Sequence, residues 1–380
     1  MRLQLPEPSA DALAASATLQ ALIADEIRRH AGWISFARYM ELTLYAPDLG
    51  YYTGGAAKLG KDGDFTTAPE ITPLFGRTLA RVASGLMAQS APRILEFGAG
   101  SGKLARDMLE ALRAMQSPVE RYTIVELSGE LQARQRHMLR DFPEVVWLDR
   151  LPDVFSGVVV GNEVLDAMPV CLIIKTEHGW MERGVGMDGH RFVYRDRPCD
   201  ADLTGQIPEA DELPVGYVTE VHPPAVGFMR SLASMLSAGR GAAILVDYGF
   251  PAAEYYLGQR MQGTLMCHYR HHAHDDPFYL PGLQDITAHV DFTAMARAAL
   301  ESGLDVLGYT SQAAFLLAAG IGEVLMDIPP EDNRAYLPQA NAVQKLTSPA
   351  EMGELFKVLT VGREAVMPEQ FHRNDRSHRL

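Results

Sequence analysis

Three alternating glycines, Gly98, Gly100 and Gly102, follow the acidic Glu96 and precede Lys103. Glycines at this spacing let backbone pass close to a ligand where a Cβ would collide. A helix starting behind them would offer unpaired N–H groups and a positive dipole end, which suits a carboxylate or a diol better than a cation. The letters exclude two common ligands. A P-loop needs Gly-x-x-x-x-Gly-Lys-Ser/Thr, and here Phe97 stands for the first glycine and Leu104 for the hydroxyl. The dinucleotide fingerprint Gly-x-Gly-x-x-Gly fails at its last glycine, which is replaced by Lys103. A second carboxylate, Glu126, closes the run Tyr122–Val125, the place from which an acidic residue can accept both hydroxyls of a ribose. Asn162 and Glu163 close the run Val158–Gly161 in the same manner.

The elements that would position these groups are readable in outline. Arg93–Phe97 is a short apolar run, and Leu104, Met108, Leu109 and Leu112 behind the glycines repeat at helical spacing. Strand, glycine turn and helix open a nucleotide-type βα unit. Tyr122–Glu126 predicts a second strand, Val145–Trp147 a third, Val158–Gly161 a fourth and Ala243–Gly249 a fifth, with helices near Gly129–Arg140 and Pro224–Leu236. Polar residues just past parallel strands sit at the ligand rim of an open sheet, which is where Asn162 and Glu163 are expected.

Upstream, Leu19–His30 reads as an amphipathic helix, and Ser35 as the N-cap of a second helix ending before Pro47. Residues 1–15 read as loosely structured. Gly50-Tyr51-Tyr52, Gly54-Gly55, Gly60 and Gly63 mark a structured loop or lid, ending in Gly63–Ile71. A helix from Pro73 to Met87 leads into the first strand. Val170–Thr176, Trp180–Val185 and Arg191–Arg195, separated by turn residues, predict an inserted β-meander. A helix at Phe292–Ser302, a strand at Val306–Thr310, helices to about Leu346 and a strand at Leu355–Val361 complete the core, and the polar tail is expected to fray.

The 380 residues carry a formal charge of −14, with no basic stripe for nucleic acid. The three cysteines, Cys171, Cys199 and Cys267, form no CxxC pattern and no disulfide framework, and a reducing compartment, the cytoplasm, is expected. No secretory signal and no run long enough to span a membrane is read in the chain. The cluster His268, His271, His272 and His274, with Asp285, His289 and Asp291 beyond it, has no defensible zinc spacing, so no metal is expected.

Glu-x-Gly-x-Gly-x-Gly, from Glu96 to Gly102, looks like the first motif of class I S-adenosylmethionine-dependent methyltransferases. With four further blocks the likeness becomes specific. Ile34–Glu41 with Leu44–Pro47 and Gly50-Tyr51-Tyr52, then Gly63–Ile71, then Gly161-Asn162-Glu163 with Asp166–Pro169, then Asp285–Phe292 together resemble the family of MidA-like proteins and the mitochondrial complex I assembly factor. The resemblance covers most of residues 33–360. It implies an α/β, Rossmann-like class I fold: a seven-stranded, mostly parallel sheet with an N-terminal helical and lid extension and an inserted β-meander. Residues 1–90 would form the extension, 91–170 and 215–365 the core, 171–214 the insert and 366–380 the tail.

What the resemblance implies about function is methyl transfer from S-adenosyl-L-methionine, with S-adenosyl-L-homocysteine as product, to an arginine of a protein such as a respiratory complex I subunit. A small-molecule or other side-chain acceptor, or an assembly factor that binds the cofactor without turnover, stay open as alternatives, as does the oligomeric state. In this reading Gly98, Ala99 and Gly100 hold the methionine end beside Glu96, and Glu126 the ribose. Leu127 and the stretch Trp147, Asp149 and Leu151 border the adenine. Asn162 and Glu163 face the transferring methyl, and Asp64, Thr67 and Glu70 lie in the lid. If arginine is the acceptor, carboxylates must hold its guanidinium fork, with Glu163, Glu70 and Glu220 the candidates in that order. Turn formation by Asp64 and Thr67, and helix capping near Glu70, are the plainer alternatives.

Overall fold

Apolar runs of the sequence become the middle strands of one sheet. In the computed structural model, which describes residues 5–54 and 66–380, the chain divides into two compact units. Asp64 and the rest of segment 55–65 lie outside the described residues.

One unit comprises Thr66–Val164, Gly227–Gly249 and Met295–Leu380. Its strands are β1 (Arg93–Phe97), β2 (Arg121–Val125), β3 (Val145–Leu148), β4 (Ser156–Asn162), β5 (Arg240–Phe250), β6 (Asp305–Ser311) and β7 (Phe356–Arg363). They lie in the order β6-β7-β5-β4-β1-β2-β3. The pairs from β5 to β3 are parallel, and β7 runs antiparallel to both β5 and β6. These are the seven, mostly parallel strands that the resemblance implied. Ile94, Val158, Val160 and Ile244 point to one face and join Leu79, Val82, Leu86, Met108, Leu109 and Leu112 of the helices Pro73–Met87 and Lys103–Ala114 in one apolar cluster. Leu95, Val159 and Leu245, the residues between, are equally buried. Burial on both faces is why these strands read as continuous apolar runs rather than as alternation. Each such side chain contributes roughly 1.5–3 kcal/mol of burial.

The tail of this unit departs from the expected fraying. Glu369–Asn374 and Ser377–Arg379 form 3-10 turns. Phe371 is buried against Phe315, the Tyr309 N–H donates to Asp375 Oδ1 at 2.9 Å, and Arg376 pairs with Glu354. One apolar ring and two charged anchors in an otherwise polar segment tie it down.

The other unit comprises the described part of Met1–Phe65, with Leu165–Val226 and Phe250–Ala294. Cys171–Thr176, Gly179–Asp188 and Arg191–Pro198 form the meander, in antiparallel pairs. Val218–Val221, expected with the core, pairs instead with Cys171–Thr176, and Ile34–Ser35 pairs with Gly179–Asp188. Ser35 does cap the helix Phe36–Tyr45, accepting from the Arg38 N–H. The first helix starts earlier than expected, at Ala10. Ser9 accepts from the Ala12 N–H, and the alanine-rich turns that follow have high helix propensity despite their weak apolar pattern. Met266–Tyr269, His272–His274 and Asp285–Thr287 form a small antiparallel sheet. Its hairpin turns at Arg270 and His271, both at positive φ, as a two-residue type I′ turn requires.

Candidate functional site

The register of the central strands brings the sequence-predicted residues to one rim. Phe97 at the end of β1 lies opposite Val125 of β2 and Gly161 of β4. The residues that leave the sheet next are therefore Gly98, Glu126 and Asn162, side by side at its carboxyl end. An open parallel sheet binds ligands at this edge, because the loops diverge there.

The glycine loop takes a shape that only glycine adopts freely. Gly98, Gly100 and Gly102 have φ of 62°, 53° and 85°. A Cβ at Gly98 would also stand 3.1 Å from Val164 Cγ2. Gly102 stands at the N-cap of the helix Lys103–Ala114 and brings no side chain to it. The Ser101 hydroxyl accepts from the Lys103 N–H and donates to Glu70 Oε1 at 2.5 Å. Glu70 belongs to the short helix Ala68–Ile71, whose N-cap is Thr67. The structure thus joins Glu70 to the glycine loop itself.

Glu96 is 1 % exposed, and its Oε2 accepts from the Tyr122 hydroxyl at 2.7 Å. Burial pushes its pKa up to about 7; the Tyr122 hydrogen bond opposes that rise and the Glu126 charge adds to it. Glu126, half-buried, accepts from the Ser128 N–H through Oε1 and from the Gln135 amide through Oε2, both at 2.9 Å. Burial raises its pKa as well, against the pull of those hydrogen bonds. Leu127 is 78 % exposed beside it. Trp147 is half-buried at the end of β3, with the Arg136 guanidinium 4.2 Å above its ring. Asp149 is exposed and Leu151 half-buried in the segment that follows.

Sequence reasoning missed Gln135. It sits on the helix Gly129–Met138 and is completely buried. Its amide nitrogen donates to the Gly100 carbonyl at 3.0 Å as well as to Glu126, and its oxygen accepts from the Trp147 indole at 2.9 Å. A glutamine among Arg134, Arg136 and His137 reads as solvent-facing, and no motif marks it.

Asn162 and Glu163 form a sharp corner. Glu163 has φ 54°, uncommon for a residue with a side chain, and its N–H donates to the Val246 carbonyl at 2.8 Å. The buried Asp247 locks the next residue, accepting from the Val164 N–H at 3.1 Å. The Asn162 amide donates to Glu163 Oε1 at 3.0 Å. Asn162 Oδ1 is buried and has no hydrogen-bond partner among the described residues. A buried acceptor left alone is costly and points to a donor from a ligand.

Glu220 belongs to the other unit, is fully buried, and accepts from the Thr264 and Leu265 N–H groups and from the Thr264 and Tyr255 hydroxyls at 2.8–3.0 Å. A carboxylate so enclosed has the contacts of a structural anchor. The histidines are also engaged locally. His272 Nδ1 donates to the Arg270 carbonyl, His274 Nδ1 accepts from the Asp276 N–H, and His289 stacks on Phe250 with ring planes 2° apart. Among the described residues no three His, Cys, Asp or Glu side chains are grouped to hold a metal ion.

Comparison with known proteins agrees with this geometry. A family described as S-adenosyl-L-methionine-dependent methyltransferases matches residues 74–310. The crystal structure of a protein from Burkholderia thailandensis bound to S-adenosyl-homocysteine is 54% identical, covers 99% of this chain and 100% of its own, and superposes with a TM-score of 0.94. The mitochondrial protein arginine methyltransferase NDUFAF7 of Danio rerio is 30% identical over 87% of this chain and 83% of its own length. That of Rattus norvegicus is also 30% identical, over 90% and 83%. With a glycine loop, the Glu126 carboxylate and an Asn-Glu corner on the carboxyl rim of a class I sheet, the chain belongs to the S-adenosyl-L-methionine-dependent methyltransferase family.

Proposed function

We propose that the chain methylates the guanidinium of an arginine in a protein substrate, with Asn162 and Glu163 at the point of transfer. The observation that carries this reading is the buried, unpartnered Asn162 Oδ1 beside the Glu163 carboxylate, at a corner fixed by Asp247. A guanidinium brings five N–H donors and no acceptor, so a carbonyl oxygen and a carboxylate side by side suit it. The relatives whose printed name is protein arginine methyltransferase support the same acceptor. The resemblance to the complex I assembly factor extends the proposal to a respiratory complex I subunit. We keep the cytoplasm as the proposed location, on the free thiols of Cys171, Cys199 and Cys267.

The residues present fit the cofactor. S-adenosylmethionine supplies a methyl group already activated on a sulfonium, so the chain must align, neutralise and exclude water. In this proposal Gly98, Ala99 and Gly100 line its methionine end, and Glu126 accepts from its ribose hydroxyls. Leu127, Trp147, Asp149 and Leu151 border its adenine. Asn162 orients the acceptor and Glu163 balances its charge and takes up the released proton. Glu70 acts on the glycine loop through Ser101 rather than on the acceptor, and Thr67 starts the short helix that carries it.

The test is to incubate the pure protein with methyl-labelled cofactor and lysate, and to map the labelled atom. Label on an arginine nitrogen of a protein is expected. Label on a small molecule or another side chain would replace the acceptor, and cofactor binding without any labelled product would make the chain a non-catalytic binder.

A further inference from the structure

We infer that the Gln135 amide is the positioning residue of the cofactor site: it joins the glycine loop, the Glu126 carboxylate and the Trp147 ring into one preset surface. The inference builds on cofactor binding at the Gly98–Gly102 loop. Gln135 has no exposure to solvent, and each of its polar atoms is engaged. One amide hydrogen goes to the Gly100 carbonyl, the other to Glu126 Oε2, and the oxygen accepts from the Trp147 indole.

The orientation of the amide follows from the partners. An indole can only donate, while a carbonyl and an ionised carboxylate can only accept. Flipping the amide would set its oxygen against two acceptors and its NH2 against a donor, so a single orientation survives. Side-chain orientation therefore transmits from one contact to the next. The Gly100 carbonyl fixes the loop, whose residue stands at φ 53°. The second hydrogen holds one oxygen of Glu126 while the Ser128 N–H holds the other, so the carboxylate cannot rotate away from the rim. The third contact sets the edge of Trp147, whose face is covered by Arg136. These are the three groups proposed above to meet the methionine end, the ribose and the adenine. Presetting them lowers the ordering cost of binding.

Glu96 on β1 senses the charge of Glu126, and Arg136, on the helix that carries Gln135, lies over Trp147. Gln135 is thus a neutral donor facing an anion, beside a second carboxyl group. Removing the donor leaves burial of Glu126 less opposed, and its protonation moves to higher pH.

The experiment is calorimetry of S-adenosylhomocysteine binding between pH 5 and 8, on the wild-type protein, Gln135→Met and Gln135→Glu, with thermal midpoints alongside. Gln135→Met keeps length and removes all three hydrogen bonds. It is expected to fold and to weaken binding about tenfold or more, the size of losing hydrogen bonds to charged and buried groups. Its affinity should also begin to fall at higher pH than that of the wild type, a shift that loss of packing alone would not produce. Gln135→Glu keeps the acceptor facing Trp147 and sets a second carboxylate against Glu126. Its affinity should rise as the pH is lowered toward the point where the pair takes up one shared proton. If Gln135→Met does not fold, the pH profile of Gln135→Glu decides. Variants that fold and bind like wild type at every pH overturn the inference, and so does failure of both to fold, which makes Gln135 a core residue only. Absence of binding in the wild type would instead strike the cofactor site itself.

Discussion

Across the β1–β2 pair, the Tyr122 hydroxyl donates to Glu96 Oε2 at 2.7 Å, with both side chains buried. A carboxyl group in such a place holds its proton longer than it would in the unfolded chain. Burial raises Glu96 from 4.5 to about 7. Between those values the native state binds the extra proton, so stability is highest at the acid end and falls as pH rises toward 7. The loss from this residue is about 3 kcal/mol when complete. Glu96→Gln, which still accepts from Tyr122, should remove that slope, as urea unfolding of the apo protein at pH 4.5, 6 and 8 would show. An unchanged slope would mean that Glu96 is ionised throughout.

His222 has the opposite sign. Burial lowers its pKa from 6.5 to about 4. Its Nε2–H donates to the Tyr255 oxygen, because the single hydroxyl proton of Tyr255 goes to Glu220. Below pH 6.5 the unfolded chain takes up a proton that the native state refuses, so stability is lost as pH falls through that value toward 4. His222→Gln should abolish this acid loss, again about 3 kcal/mol at its limit. In the wild type the two slopes largely cancel between pH 4.5 and 6.5; each single variant should expose the other.

Gly100→Val should weaken S-adenosylhomocysteine binding at least 100-fold while the unfolding curve moves little. Valine at φ 53° is strained by roughly 1–2 kcal/mol, and its branches would project where backbone meets ligand. Wild-type affinity by calorimetry would mean the loop lies elsewhere.

Glu163→Gln should leave S-adenosylhomocysteine affinity nearly unchanged and lower turnover on the mapped substrate by ~10²-fold or more, the loss expected for a positioned acid–base or electrostatic group. Glutamine still accepts from Asn162, so the corner at φ 54° is kept. Full methyl incorporation would remove Glu163 from the catalytic set; lost affinity with intact folding would make it a cofactor ligand.

Glu220→Leu should destabilise the protein by about 3 kcal/mol or more, because two N–H groups and two hydroxyls lose their buried acceptor. Thermal unfolding would show this as a markedly lower midpoint. A folded variant with normal stability and no turnover would place Glu220 at the acceptor site.

The core was legible where one property dominated a stretch. Ile94-Leu95, Val158–Val160 and Ala243–Val246 lie in strands covered on both faces, so burial wrote itself as unbroken apolar sequence. Gly98, Gly100 and Gly102 were legible because a positive φ demands a residue type. Residues whose role depends on partners far along the chain were not. Gln135 answers to Gly100, Glu126 and Trp147 on three different strand ends, and nothing in its neighbours signals that. Glu220 was indistinguishable in sequence from a rim carboxylate until Thr264 and Tyr255 were placed around it. The helix at Ala10 was missed because its first two turns hold small residues, whose propensity carries no periodicity.

The strand order imposes a timetable on synthesis. β6 is translated before β7, yet in the sheet its partner is β7, which in turn lies against β5. Until Phe356–Arg363 has been made, β5 has one ladder open and β6 has nothing in this sheet to pair with. The nascent core therefore carries two unsatisfied edges from the completion of β6 at Ser311 until β7 is made, and exposed edges recruit other strands. A premature stop between Ser311 and Phe356 yields a sticky fragment rather than a smaller enzyme, even though it retains every residue assigned to the cofactor.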